Sequence, residues 1–258
     1  MMRVIKNLCD YRELFKSNIK KEIRGKYKGS FLGILWSFIN PLLQVFVYSI
    51  VFSYVMRTQI DNYLVYVVCG IIPWTFFTTS VNQGMVTVRS NASIIKKVYF
   101  PREILPISVV ASGLVNFLIS CIIILIFTIG SGLGINWMII LVPVIALLQT
   151  LFTLGIVLIC SAVNVYIKDL EYIVQFILNM AFYATPILYD ISIFPTSLRW
   201  VLSLNPLAHI VNAYRDIFMY HQLISLNSWI YMIIISVLFL VIGFAIFNKL
   251  QKGFAEEI

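Results

Sequence analysis

Long apolar runs alternate with short polar islands along most of this chain, and only the beginning is polar throughout. The runs are Leu35 to Met56, Tyr63 to Val88, Ile104 to Ile129, Trp137 to Tyr166, Tyr172 to Tyr189 and Trp229 to Phe247. Each is near the roughly 20 residues that a helix needs to cross a bilayer core, and the fourth is long enough to tilt or to extend beyond it. The pattern predicts an all-α integral membrane protein with six transmembrane helices in a single domain spanning residues 1–258. Asn40-Pro41, Pro73, Pro143 and Pro186 fall inside the runs. A proline there frees a carbonyl and kinks the helix, which spans tolerate when neighbours satisfy the backbone.

The polar segments carry patterns of their own. Between Arg3 and Lys28, Val4, Leu8, Tyr11, Phe15, Ile19 and Ile23 recur at steps of three or four, among nine Lys and Arg. This predicts a basic amphipathic helix over residues 1–30 lying in the cytoplasmic interface; a plain topogenic anchor is the other reading. The island Arg89–Pro106, RSNASIIKKVYFPREILP, sets Arg89, Lys96, Lys97 and Arg102 among Ile94, Ile95, Val98, Tyr99 and Phe100, and Pro101 ends it. An insert of this kind lies on a membrane surface or docks into a partner protein, and docking is the favoured reading. Residues 190–228 are moderately apolar. Pro195, Pro206, Arg199, Arg215 and Asp216 argue against a seventh span there. Two short re-entrant helices are expected instead, Pro195 to Leu204 and Ala208 to Tyr220, dipping into the outer leaflet against protein or a water-filled cavity.

Composition agrees with this picture and orients it. Of 258 residues 60% are hydrophobic and 12% charged, against about 25% charged in a soluble domain. The net charge of +8 would suggest nucleic acid in a soluble protein, but its distribution follows the positive-inside rule, so no nucleic-acid partner is expected. With both termini cytoplasmic, the inside segments hold 16 of the 19 Lys and Arg, leaving Arg57, Arg199 and Arg215 outside. No cleavable signal is expected in so polar a start.

Some chemistries are excluded. None of the apolar runs contains Asp, Glu, Lys, Arg or His, which argues against proton- or ion-coupled transport and voltage sensing. There is no G-x-x-x-x-G-K-[ST] motif for ATP. His209 and His221 are isolated, and Cys9, Cys69, Cys121 and Cys160 show neither disulfide nor metal spacing. No catalytic or metal-binding residue is assigned. Aromatics stand near or within the first, second and fifth runs: Trp36, Tyr48, Phe52, Trp74, Phe76, Phe77, Tyr183 and Tyr189. They suit an interfacial belt, or a channel in which ring faces stack on the apolar faces of pyranoses and let a polymer slide.

Seven ordered stretches then carry a resemblance. They are RGKYKGSFLGILWSFINPLL (Arg24 to Leu43), GIIPWTFF (Gly70 to Phe77), NASIIKKVYFPREILP (Asn91 to Pro106), NVYIKDLEYIV (Asn164 to Val174), TPILY (Thr185 to Tyr189), NPLAHIVNAYRD (Asn205 to Asp216) and FNKLQKGFAEEI at the end. The chain resembles the membrane subunits of type-2 ABC exporters for lipid-linked polysaccharides (O-antigen, teichoic acid and capsule), and O-antigen permeases most. Lys168 stands where the family often has Arg, which keeps the charge without the bidentate fork.

The resemblance implies a homodimer of six-span subunits in the bacterial inner membrane, with two copies of a separate ATPase that holds ATP and Mg. It implies a cytoplasmic coupling helix at residues 90–101, drawing on Asn91, Ile94, Ile95, Lys96, Lys97, Val98, Tyr99, Phe100 and Arg102 to meet the ATPase. It also implies a polyprenyl-pyrophosphate carrier arriving at the cytoplasmic mouth, where Lys20, Lys21, Arg24, Lys26 and Lys28 are placed to meet its phosphates and where membrane lipid competes for the same charges. Two other functions remain open: a type-2 exporter of a drug or lipid, and an ATP-independent channel or membrane scaffold.

Overall fold

A computed structural model describes residues 2–27, 29, 31–52, 60–195, 197 and 199–257. Among these residues it is all-helical. Helices α1 (Met2–Asp10) and α2 (Arg12–Tyr27) are followed by α3 (Trp36–Ile50), α4 (Tyr63–Ser90) and the six-residue α5 (Ala92–Lys97). Then come α6 (Ile104–Gly130), α7 (Val142–Tyr166, entered through a 3-10 turn at Trp137–Leu141) and α8 (Leu170–Ala184). Helices α9 (Arg199–Ser203), α10 (Pro206–Phe218), α11 (Leu226–Leu250) and α12 (Phe254–Glu257) complete the order. Four stretches are long and apolar enough to cross a membrane: Tyr63–Lys97, Ile104–Gly130, Trp137–Tyr166 and Leu226–Gly253.

The helix boundaries differ from the apolar runs for local reasons. The predicted N-terminal helix divides at Tyr11 into α1 and α2, with Phe15 N–H still donating to the Tyr11 carbonyl. Helix α8 stops at Ala184, five residues before its run ends, because Thr185 precedes Pro186 and is extended (φ −105, ψ 132). At 15 residues each, α3 and α8 span about 22 Å, short of the ~30 Å core. The far end of the first run, residues 53–56, lies outside the described residues, as does Arg57. Helix α10 begins on Asn205, whose side chain accepts the Leu207 N–H, with Pro206 at the first helical position. The Ser225 hydroxyl caps α11 in the same way through Ser228 N–H.

Helix α4 is the hub. It packs against α3, α6, α7, α8 and α10, and its length of 28 residues corresponds to about 42 Å. Helices α7 and α11 cross at two glycines: a Cβ on Gly155 would lie 2.4 Å from a Phe239 backbone carbon, and one on Gly243 would lie 2.5 Å from the Gly155 carbonyl oxygen. Small residues at such crossings let helix backbones approach in lipid, where packing rather than the hydrophobic effect drives association. The Pro73 carbonyl accepts from Gln149 at 2.8 Å, and Gln149 in turn accepts from Tyr214 at 3.2 Å. This buried polar bridge holds α4, α7 and α10 together at the proline.

The main core runs along α4, α6, α7 and α10. A second, smaller apolar cluster lies at one end of the bundle. It joins Val88, Ile95, Phe100, Leu105, Leu158, Phe247 and Phe254 from six elements. That end also collects α1, α2, the start of α6 and the end of α11, and therefore most of the cations. It is called the basic end below.

Candidate translocation cleft and the two ends of the bundle

Three polar stripes inside apolar helices converge on one cleft. Helix α3 contributes Gln44 and Tyr48, four residues apart. Helix α4 contributes Thr75, Thr78, Thr79 and Asn82, and α8 contributes Gln175, Asn179 and Tyr183. Steps of three or four place each set on one helical face. The cleft holds about 720 Å³, and Trp74, Leu178 and Phe182 complete its wall. None of its lining side chains is Asp, Glu, Lys, Arg or His. The Phe182 ring stands 5.8 Å from Tyr48 and 5.6 Å from Trp74, so the aromatics form one connected face beside the amides and hydroxyls. Such a surface offers many weak, exchangeable contacts, each net hydrogen bond being worth about 1 kcal/mol.

At the basic end, Asn91 separates α4 from α5. Its side chain donates to the Thr87 carbonyl at 2.7 Å and accepts from Lys21 Nζ at 3.0 Å, tying α2 to the root of α5. Beyond α5 the chain turns extended at Val98 (φ −130, ψ 133) and presents Tyr99, which is 88% exposed. Arg89, one turn before α5, pairs with Glu171 at the start of α8 at 2.9 Å. The Glu171 oxygen also accepts from Asn164, whose amide reaches the Met85 carbonyl at 3.2 Å. This polar group links α4, α7 and α8 directly below the cleft stripes on α4 and α8.

At the opposite end lies a buried cation. Arg215 on α10 is 1% exposed. Its guanidinium donates to the carbonyls of Pro186 (2.6 Å) and Ile187 (2.8 Å) and sits 3.4 Å from the centre of the Tyr66 ring. The carbonyls belong to the turn that follows α8, where no helix supplies donors. Tyr63 and Tyr66 hydroxyls donate to the carbonyls of Leu188 and Tyr189 in the same turn.

The family model described as ABC-2 type transporter matches residues 13–219. An O-antigen export system permease protein of Myxococcus xanthus is 36% identical over the whole of both chains. One of Klebsiella pneumoniae is 38% identical, covering 92% of this chain and 91% of its own. A polysialic acid transport protein of Escherichia coli is 24% identical, covering 90% of this chain and 92% of its own. The chain belongs to the ABC-2 type transporter family. It is therefore a multi-pass membrane transport subunit rather than an enzyme, of a family that works in a dimeric arrangement with a separate ABC ATPase.

Within this ABC-2 subunit the predicted site residues divide. Of the channel aromatics, Tyr48, Trp74 and Tyr183 line the cleft. Phe77 does not: it is buried in the core and stacks on Phe152 at 5.8 Å. Phe76 stacks on Phe117 at 5.2 Å and, with Trp36, borders a smaller cavity of about 180 Å³ between α3, α4 and α6. Phe52 faces Tyr63, and Tyr189 donates its hydroxyl to the Tyr183 carbonyl. Of the expected coupling set, Ile94, Lys96, Lys97, Val98 and Tyr99 point outward. Asn91, Ile95 and Phe100 are buried and face this chain's own interior. Arg102 donates to the Gln251 carbonyl.

Of the predicted carrier cations, Lys20 and Arg24 are exposed on α2, Lys21 is shared with Asn91, and the Lys26 side chain and Lys28 lie outside the described residues. The sequence reading passed over Gln44, Thr78, Asn82, Gln175, Asn179, Glu171 and the burial of Arg215. The signal for the first five was present: uncharged polar residues recurring at helical spacing inside otherwise apolar runs.

Proposed function

We propose that this chain is the channel-forming permease of an ATP-driven exporter that carries polysaccharide, of the O-antigen kind, across the bacterial inner membrane as a polyprenyl-pyrophosphate-linked polymer. The observation that carries the reading is the uncharged polar and aromatic cleft of α3, α4 and α8. It suits a chain of hydroxyl-rich rings and offers no carboxylate, histidine or cation for coupling to an ion. The relatives' names support a polysaccharide cargo over a drug or lipid. Six spans are proposed, with α3 and α8 as the two short ones. Two copies would bring their exposed α8 faces together around a common path. The excess of cations at the end bearing α1, α2 and α5 supports a cytoplasmic location for that end and for both termini. On this reading α9 and α10 re-enter from the outer side, α5 meets an ATPase that binds ATP and Mg, and Lys20 and Arg24 flank the mouth where the carrier phosphates arrive.

Depletion of the protein, followed by analysis of lipid-linked glycan, tests this directly. The expected result is cytoplasmic-side accumulation of the lipid-linked polymer with loss of surface polysaccharide. Unchanged glycan on both sides would reject the cargo.

A further inference from the structure

The short α12 follows α11 without any contact to the cleft, yet one of its residues is more deeply buried than most of the core. Phe254 is 0% exposed. Its ring meets Phe247 edge-on at 5.5 Å, Tyr166 at 6.3 Å and the Arg102 guanidinium at 5.8 Å. The chain leading to it is held at two carbonyls at the end of α11: Tyr166 donates to Leu250 at 2.8 Å, and Arg102 donates to Gln251, which also accepts the Phe254 N–H. Gly253 passes so near Tyr166 that a Cβ there would lie 2.5 Å from the phenol oxygen. Several contacts thus converge on seating one side chain.

That side chain belongs to the cluster that also receives the inward side chains of α5. A six-residue helix has little stability of its own and is placed by what lies under it. Helix α5 and its exit turn send two large apolar side chains inward, Ile95 and Phe100, and both enter the small cluster with Phe254, Val88, Leu105, Leu158 and Phe247. This cluster is distinct from the main core. Close-packed side chains transmit displacement; a cavity lets neighbours relax without moving the rest.

We propose that Phe254 is a positioning residue for energy coupling: it fills the cluster that seats α5, so that a push on α5 moves the ends of α4, α6, α7 and α11 together. The inference rests on the reading that α5 receives the stroke of the ATPase.

The test uses membrane vesicles from producing cells containing the intact permease–ATPase complex, with Phe254→Ala, Phe254→Leu and, as control, the exposed Glu257→Ala. Four quantities are read: permease level, retained ATPase, polymer exported per ATP hydrolysed, and the mobility of a spin label at the exposed Ser93→Cys on α5 in a Cys9→Ser background. Phe254→Ala is expected to keep the ATPase bound and hydrolysis within about twofold, to lower export per ATP at least fivefold, and to mobilise the label. Phe254→Leu falls between, and Glu257→Ala matches the parent. Should Phe254→Ala fail to accumulate, Phe254→Leu carries the same readouts. Unchanged export per ATP, an unmoved label, or losses that follow permease level alone in both variants would overturn the proposal. Failure of the docking reading shows separately, as full ATPase retention when Lys97→Glu and Tyr99→Ala are combined.

Discussion

The two ends of α4 are fixed by different balances of packing and hydrogen bonding. Near Tyr66 the helix meets a guanidinium, and the turn after α8 is held by directional hydrogen bonds to the carbonyls of Pro186, Ile187, Leu188 and Tyr189. Near Val88 it meets the apolar cluster of Ile95, Phe100, Phe247 and Phe254, whose buried faces pack by shape while Asn91, Tyr166 and Arg102 tie the chain around them. Hydrogen bonds to a charged donor specify one arrangement and cost much to leave unmade. Apolar packing without directional bonds can shift as a unit between arrangements while staying buried. The difference suits the proposed reading, in which the ATPase pushes from one end: the basic end would shift under load, and the far end would keep the register of α4, α8 and α10.

The most damaging way to break this contrast is Arg215→Ala. It strands two buried carbonyls at about 1–3 kcal/mol each and leaves a void against Tyr66. The expected outcome is a large fall in membrane-inserted protein and a melting temperature in detergent many degrees below the parent. Arg215→Lys recovers little, because an ammonium lacks the planar fork that reaches both carbonyls while lying over the ring. A parent-like melt for Arg215→Ala would show that the far end is not pinned. Next in size is Phe100→Ala at the other end, about 3 kcal/mol less stable by loss of a buried ring. Its fold is expected to persist while export per ATP drops and ATPase binding continues; loss of ATPase binding instead would show Phe100 to be a contact residue.

Much of this organisation was legible in the sequence, and the exceptions have physical reasons. The apolar runs located α4, α6, α7 and α11 to within a few residues, because a span is recognised by length and hydropathy alone. The island from Arg89 to Pro106 stood out by charge. Which of its residues face inward did not, since α5 is too short for its periodicity to be read and its inner face is set by Phe247 and Phe254, some 150 residues away. Arg215 reads as an exterior loop cation. Only the fold brings it to the carbonyls that a proline-terminated α8 leaves open. Phe76 and Phe77 read as channel aromatics because an aromatic pair on α4 gives no clue to helix rotation. The cleft itself was written in Thr75, Asn82, Gln175 and Asn179, which attract little notice beside charges and rings.

A smaller effect sharpens the link between the basic end and the cleft. Arg89 and Glu171 join α4 to α8, but each side chain is about a third exposed (34% and 32%). Solvent screening therefore limits the pair to about 1 kcal/mol or less. Glu171→Ala also removes the acceptor for Asn164, so it should cost more than Arg89→Ala. The reversed pair, Arg89→Glu with Glu171→Arg, should recover part of the export lost by either reversal alone. Additive losses in that cycle would mean that the two helices are not coupled through this contact.

The smallest effect on stability belongs to the cleft, and there stability and function should separate. Gln175 and Asn179 are exposed on α8 in the single chain, so replacing either by Ala should alter stability by no more than about 0.5 kcal/mol. If a hydroxyl-rich polymer moves along this face, removing both amides takes away several exchangeable contacts at once. Export should then slow a few-fold at unchanged permease level and unchanged ATP hydrolysis. Trp74→Ala should slow export further, but its ring is buried against Phe77 and Phe182, so its effect on folding has to be measured beside it. The double amide variant is the cleaner probe because it alters the cleft and neither end of α4. Normal export from it would mean that polymer passes elsewhere, whereas slowed export with intact hydrolysis would place the resistance to movement in the cleft itself.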